Sequence, residues 1–319
     1  MKALYIFFLT LALALTSCEK PAPDPVPQPE QPEQGGKEED KEEDKEEGKE
    51  EGKEEGKEDQ GDNKEDINLL PEEGTMTDPR DGNEYVTVKL GEQVWMAENL
   101  RYLPGGEAQD FDISPISPRY YVIFDNDLDT ELGTASVEMY GMFYNLPAAT
   151  QEEELVTVGE NRMVQGVCPD GWHLPSQAEW DALAQFLLKA GMAATLEDGT
   201  VDETALGKAL ASTDMWIMPE MTEIEPLPTW VAYDPSTNNA SKFNGKPLGF
   251  RACSVNPGED VWMHACYSAG WWSSSAAVAM TGMGVDFGIP VRIWSDSQNF
   301  ITVSEFNPAV ALPVRCLKN

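Results

Sequence analysis

The densest group of reactive side chains in the sequence lies in residues 166–183, GVCPDGWHLPSQAEWDAL. This stretch contains Cys168, His173, Ser176, Glu179 and Asp181. A thiol, an imidazole, a hydroxyl and carboxylates are the groups used in nucleophilic and acid–base catalysis. The same stretch also has a structural interpretation, because Ser176 followed three residues later by Glu179 matches the capping box that begins a helix. The stretch is therefore either an active site or a structural element that stabilises the fold.

The sequence around this stretch predicts two helices. The first begins at Ser176 and ends near Gly191, because apolar residues between Trp180 and Leu188 follow the i, i+3, i+4 spacing of one helix face. The second is predicted from about 202 to 212, with apolar residues on one side.

The strand signals indicate small antiparallel sheets. Alternating polar and apolar residues predict a hairpin of strands 84–90 and 94–97, entered through a turn at 78–83. Residues 312–316 predict a closing strand, and 213–247, rich in Pro, Thr, Asn and Gly, predict long loops. The expected class is α+β, with small antiparallel sheets, two helices and long loops in one domain over 75–319.

The N-terminus has the pattern of an export signal. Lys2 precedes an apolar run at 3–15, which is too short to span a membrane but suits the core of a signal peptide. The run ends in Leu15, Thr16, Ser17 and Cys18, which resembles a bacterial lipobox. Residues 1–17 are therefore predicted to be a lipoprotein signal peptide, with Cys18 carrying the acyl anchor. The expected location is the outer membrane of the cell, with the chain exposed at the surface.

Residues 18–74 predict a disordered tether. A Pro-rich segment at 21–32 favours an extended conformation, and a repeat of KEED and KEEG follows it. On a helix this period of four would place Lys over Lys and Glu over Glu at every i,i+4 contact, so we expect a solvated chain. At roughly 5–6 Å × √n, a flexible chain of this length spans several nanometres.

The charge of the chain excludes one class of partner. Lys and Arg number 22 against 57 Asp and Glu, which gives a formal net charge of −35. Nucleic-acid binding needs clustered cationic side chains, so we expect no nucleic-acid partner.

Six motifs in a fixed order resemble one bacterial family. They are DPRDGNEYVTVKLGEQVWMAENLRY (78–102), YGMFYNLPAAT (140–150), GVCPDGWHLPSQAEWDAL (166–183), GKAL (207–210), WWSSSA (271–276) and LPVRCLKN (312–319). Together they resemble the Fibrobacter succinogenes major paralogous domain, which occurs on surface proteins of that bacterium and of Bacteroidetes. HLPSQAEW with the terminal VRC also resembles the C-type-lectin-like fold of formylglycine-generating enzymes. The resemblance implies a domain whose N- and C-terminal strands pair, and it implies no established activity.

Four cysteines remain if Cys18 is lipidated, and four allow three disulfide connectivities. The resemblance to the lectin-like fold implies a bridge from Cys168, before the first helix, to Cys316 in the last strand. Cys253 and Cys266 would then close a short loop. Disulfides are the norm in an exported protein.

Metal and cofactor sites are not indicated. The two histidines, His173 and His264, are not grouped with cysteines in a zinc pattern. Asp125, Asp127 and Asp129 resemble the start of an EF-hand loop, but positions six and twelve lack the required Gly and Glu. An acidic turn is the simpler interpretation, with calcium binding as the alternative. The tripeptides of calcium-dependent lectins and the GNVWEW motif of the formylglycine-generating family are also absent.

Three tryptophans in loops are the candidate ligand contacts. Trp95, Trp172 and Trp180 lie in the family motifs and are predicted to be core, whereas the candidates Trp216, Trp230 and Trp262 lie in the long loops. Exposed indoles suit stacking on sugars or anchoring a protein. The alternative is that these three plug satellite cores beneath the loops.

The sequence therefore predicts a non-catalytic, lipid-anchored cell-envelope protein that displays an adhesion-type domain for a glycan or protein. One alternative is an enzyme related to the formylglycine-generating sulfatase-modifying factors. The other is a structural component of the envelope or of an appendage. No cofactor is expected, and the membrane contact is expected to be the acyl group on Cys18.

Overall fold

The computed structural model describes residues 68–105, 113–123, 130–157, 160, 162–202, 205–220, 226–252, 262–276, 287–297, 300–302 and 306–319. These residues form small sheets, helices and long irregular segments, so the α+β prediction is confirmed. In this part of the chain, no helix is long and apolar enough to span a membrane. The predicted signal peptide, Cys18 and the Lys/Glu repeat lie outside the described residues.

The first sheet contains the predicted hairpin. Its spatial order is β1, β2, β3, β14 and β7, with bounds Glu72–Thr77, Glu84–Leu90, Gln93–Met96, Leu317–Lys318 and Trp172–His173. Strands β2 and β3 pair from Thr87↔Met96 to Leu90↔Gln93 through a turn at Gly91, which has φ +62°. A side chain there would also collide with the ring of Phe186, since an added Cβ would lie 2.8 Å from it. Strand β1 begins before position 75, where the domain was predicted to start.

The second sheet is built around a strand near the C-terminus. Its order is β4, β5, β13, β8 and β9, with bounds Tyr120–Tyr121, Phe143–Asn145, Ala311–Leu312, Phe250–Arg251 and Trp262–Met263. The third sheet has the order β12, β11, β10 and β6, with bounds Phe300–Thr302, Gly288–Trp294, Ser268–Ala276 and Val156–Thr157. In it, β10 and β11 form the longest pair, from Ser268↔Trp294 to Ala276↔Gly288 with a bulge.

The described chain has four helices where two were predicted: α1 at Glu131–Tyr140, α2 at Leu146–Thr150, α3 at Gln177–Lys189 and α4 at Gly207–Leu210. The capping box of Ser176 and Glu179 at the start of α3 is confirmed. Helices α1 and α2 were missed, although each has a polar cap: Thr130 accepts from the backbone N–H of Gly133, and Asn145 from that of Ala148.

Two predicted elements are shorter than their patterns indicated. Helix α4 covers only part of the predicted 202–212, because its first turn has no side-chain cap and Ala211 is already extended with ψ 148°. The closing strand predicted at 312–316 is divided between β13 and β14. Pro313 has no N–H to donate, and the backbone between the two strands bonds to other segments.

The C-terminal segment 311–319 connects the first two sheets. β14 lies between β3 and β7, with Leu317 opposite Trp95, so the expected pairing of N- and C-terminal strands is confirmed. Between β13 and β14, the carbonyl oxygens of Val314 and Cys316 accept the N–H groups of Leu100 and Met96 at 2.9 and 3.0 Å. The last residues of the chain therefore occupy interior positions of two sheets.

Arg315 is buried within this segment, on top of an aromatic cluster. Its guanidinium lies 4.4 Å from the ring centre of Phe243 and 5.4 Å from that of Trp271. Its Nε donates to Asn99 Oδ1 at 3.0 Å, one Nη donates to the carbonyl oxygen of Asn244 at 3.0 Å, and the other donates to that of Phe243. Burial lowers the pKa of Arg315 to about 9, which still leaves the group charged at neutral pH.

We expect Arg315→Lys to lower the free energy of unfolding by about 3 kcal/mol, because a lysine cannot reproduce the planar fork and leaves buried acceptors without donors. Urea unfolding followed by tryptophan fluorescence measures this loss. Arg162→Lys is the matched control, since the exposed guanidinium of Arg162 also donates to backbone carbonyl oxygens, those of Glu154 and Leu155. The control should change stability by less than about 0.5 kcal/mol. Equal effects of the two substitutions would contradict the central role of Arg315.

Candidate functional site

The reactive stretch 166–183 is held together by one histidine ring. His173 lies in β7 with 3% of its surface exposed. Its Nδ1 is 2.8 Å from Asn319 Oδ1, and its Nε2 is 2.8 Å from Glu179 Oε1. The ring therefore ties the start of α3 to the C-terminal residue of the chain. The sequence left His173 without a partner, and the structure supplies two.

The carboxylate of Glu179 is shared between the histidine and the helix cap. Its Oε2 accepts from the backbone N–H of Ser176 at 2.7 Å and from the Ser176 hydroxyl at 2.8 Å. A nucleophilic serine needs its hydroxyl hydrogen-bonded to a general base such as histidine. Here the hydroxyl donates to the capping carboxylate, and His173 contacts the other oxygen. The arrangement is that of a helix cap with an added ion pair.

The environment shifts the pKa values of both partners. Burial of His173 opposes protonation, but the hydrogen bond and charge of Glu179, with the hydrogen bond of Asn319, outweigh it and raise the pKa above the ordinary 6.5. Burial of Glu179 acts to raise its pKa, but the hydrogen bonds from His173 and Ser176 lower it below 4.5. Both shifts favour the charged pair.

The cysteine of the stretch is in a disulfide. Cys168 and Cys316 are bonded and fully buried, which confirms the pairing that the resemblance implied. Cys266 is also disulfide-bonded, and its predicted partner Cys253 lies outside the described residues. Asp125, Asp127 and Asp129 lie outside them as well. Within the described part of the chain, no group of three or more His, Cys, Asp or Glu side chains is placed to hold a metal ion.

The loop tryptophans do not form an exposed binding surface. Trp216 and Trp230 are only 6% and 7% exposed, and Trp216 packs in the same core cluster as Trp95 and Trp180. Trp262 is partly buried and packs edge-to-face on Phe143, with ring centres 4.7 Å apart. The burial of Trp216 and Trp230 fits the alternative in which these indoles fill cores beneath the loops, whereas Trp262 keeps part of its surface exposed.

The loop that carries Trp230 is fixed by a buried lysine. Lys208 in α4 is 7% exposed, and its Nζ donates to the carbonyl oxygens of Trp230 and Asp234 at 3.3 and 3.2 Å. Burial lowers the pKa of Lys208. These bonds tie the 227–234 loop to α4.

The structure contains a cleft that sequence reasoning missed, called here the α2 cleft. It has a volume of about 440 Å³ and is lined by Pro115, Ile116, Leu146, Pro147, Thr150, Glu152, Glu153, Glu154, Leu155 and Pro308. This volume is in the range of small-molecule and side-chain binding pockets. The sequence signal for it is the run of three glutamates at 152–154, but Pro115, Ile116 and Pro308 come from distant segments.

A second cavity beside Arg315 is much smaller. It measures about 40 Å³ and lies among charged side chains, including Glu98, Arg101, Glu138 and Lys246. A space of this size accommodates a few water molecules at most. The α2 cleft is therefore the better candidate for a functional site.

Comparison with known proteins identifies one family. The sequence model described as the Fibrobacter succinogenes major domain matches residues 88–318, which is more than half of the chain. No curated protein and no solved structure matches the chain.

We expect the His173–Glu179 pair to make stability depend on pH. Because folding raises the pKa of His173, its protonation adds to the free energy of unfolding. This contribution is complete below about pH 6.5 and is lost as the pH rises through the pKa of His173 in the folded protein. Because folding lowers the pKa of Glu179, its ionised form adds to the free energy of unfolding above about pH 4.5. This contribution is lost as the pH falls through the pKa of Glu179 in the folded protein. The stability difference between the wild type and His173→Gln should thus be largest between these values and shrink by on the order of 1 kcal/mol towards pH 8.

Urea unfolding at a series of pH values measures this difference. Glu179→Gln keeps a capping oxygen but removes the charge, so it should remove the same pH dependence. A difference between wild type and His173→Gln that stays constant across the series would contradict the ion pair.

Proposed function

Because the chain belongs to the Fibrobacter succinogenes major domain family, we propose that it is a non-catalytic, lipid-anchored cell-envelope protein whose folded domain binds a glycan or protein ligand. The non-catalytic role is supported by one observation: the reactive side chains of 166–183 make structural contacts. Ser176 and Glu179 cap a helix, His173 is clamped between two side chains, and Cys168 is in a buried disulfide. Each group that suggested chemistry has a structural partner.

The geometry gives no support to the formylglycine-generating alternative at these residues. That chemistry depends on a pair of reactive cysteines open to a substrate. Cys168 and Cys316 are both completely buried in their disulfide. A sulfur held in a buried disulfide has no thiolate to offer a substrate.

The anchored part of the proposal is supported by the N-terminal sequence. An apolar run followed by Leu15, Thr16, Ser17 and Cys18 suits cleavage before Cys18 and lipidation of its thiol. The long charged segment after it suits a spacer that holds the folded domain away from the membrane. This display suits a binding role for the domain, and the α2 cleft offers a concave surface for it.

We expect Cys18→Ser to abolish incorporation of labelled fatty acid into the protein and to move it from the membrane fraction to the soluble fraction. The physical reason is that the acyl chains supply the membrane affinity. Metabolic labelling and fractionation of the expressing bacterium measure both effects. Ser17→Ala is the matched control, because a small residue before the cysteine is retained, and it should leave the labelling unchanged. Incorporation of labelled fatty acid into the Cys18→Ser protein would contradict lipidation at Cys18.

A further inference from the structure

The walls of the α2 cleft are fixed in place by one buried amide. Asn145, fully buried at the start of α2, accepts from the backbone N–H groups of Arg119 and Ala148 at 2.8 and 3.0 Å. Its Nδ2 donates to the carbonyl oxygens of Ser114 and Ser117 at 2.7 and 2.8 Å. The 114–117 segment, which carries Pro115 and Ile116, is thereby tied to α2.

The third wall is tied to the same helix. The N–H of Leu146 donates to the carbonyl oxygen of Pro308 at 2.9 Å. Leu146 and Thr150 are buried at the base of the cleft, and Pro147 and Pro308 add rigid apolar surface. The cleft is therefore formed before any ligand arrives, so a ligand does not have to order its walls.

The rim of the cleft combines negative charge with an exposed apolar side chain. Glu152, Glu153 and Glu154 are all exposed, and Glu153 is oriented by the N–H of Gly166 at 2.8 Å. Among the described residues, the carboxylates of Glu152 and Glu154 have no hydrogen-bond partner. Ile116, at the mouth, is 67% exposed.

These features favour a cationic side chain with an aliphatic stem over a sugar. None of the lining residues is aromatic, so the cleft offers no ring on which a sugar could stack. The stem of a lysine or arginine buries against apolar surface while its charged end reaches acceptors at the rim. The net charge of −35 attracts such a partner over longer distances.

We propose that the α2 cleft binds a lysine- or arginine-bearing segment of a partner protein. The proposal rests on the proposed binding role of the displayed domain and names the class of its ligand. Glu152 and Glu154 pair with the cationic end, while Ile116, Leu155 and the prolines contact the stem and the neighbouring apolar residue.

The test uses the intact protein, purified in a nonionic detergent, and fluorescein-labelled peptides. The probe alternates lysine, leucine and proline, and its matched peptide has glutamate in place of lysine. Fluorescence anisotropy should detect binding of the lysine peptide alone, and binding should weaken strongly in about 1 M salt. The double variant Glu152→Gln with Glu154→Gln should bind it about two- to thirtyfold more weakly, as expected for the loss of two exposed charge pairs.

Two further variants make the result specific to the cleft. Glu73→Gln with Glu92→Gln changes the net charge equally at exposed residues that do not line the cleft, and it should bind as the wild type does. Glu152→Lys with Glu154→Lys should reverse the preference towards the glutamate peptide. Thermal unfolding of each variant checks that the fold is retained.

The outcomes distinguish peptide binding at the α2 cleft from the proposed function as a lipid-anchored binding protein. If neither charge variant changes binding relative to the Glu73 and Glu92 control, the cleft is not the site and the proposal is overturned. Glycan-array binding that depends on Glu152 and Glu154, without lysine-peptide binding, also overturns it but leaves the displayed binding role intact. Failure of the Cys18→Ser test overturns the anchored role but not the peptide binding measured here.

Discussion

The structure depends on the insertion of its last nine residues into the interior of two sheets. β13 lies between β5 and β8, and β14 lies between β3 and β7. Cys316 adds a covalent link to Cys168, 148 residues away in sequence. The entropic cost of closing long loops comes before the favourable contacts between distant strands form. These distant pairings therefore place the domain among slowly folding topologies. The domain cannot complete its sheets until the C-terminus is in place.

A buried charge sits at the point where these segments meet. Asn99 Oδ1 accepts from both Arg315 Nε and Trp271 Nε1, and its amide donates to the carbonyl oxygen of Tyr140. The neutral oxygens around Arg315 satisfy most of its donors. Arg292 shows the contrast. Among the described residues its guanidinium has one hydrogen bond, to Ser268, and its buried Nε has no partner, while the ring centre of Trp294 lies 4.1 Å away. Burial lowers its pKa to about 10. Aromatic contact there offsets only part of the desolvation.

Local sequence signals predicted local structure well. The capping box at Ser176, the hairpin at 84–97 and the turn before it all depend on residues close in sequence, and all are present. The features that the sequence did not predict depend on contacts between distant residues. The two partners of His173 are six and 146 residues away, and the C-terminal strand divides because its middle residues bond to other segments. Helix α1 was missed because its Thr, Val and Gly residues weaken the helical pattern, and its cap alone is a short signal.

The α2 cleft could not be predicted from the sequence for a related reason. The glutamates at 152–154 are visible in the sequence, but a run of acids has no depth until α2, the 115–116 segment and Pro308 surround it. The tryptophans that a sequence offers as ligand contacts are the residues that long loops most need as core, because burying an indole stabilises a loop with few other apolar groups. The contacts proposed at the cleft are therefore exposed charges, which individually give modest affinity. On the lipid-anchored protein that we propose, many tethered copies would engage a repetitive partner together and so raise the overall affinity without new contacts.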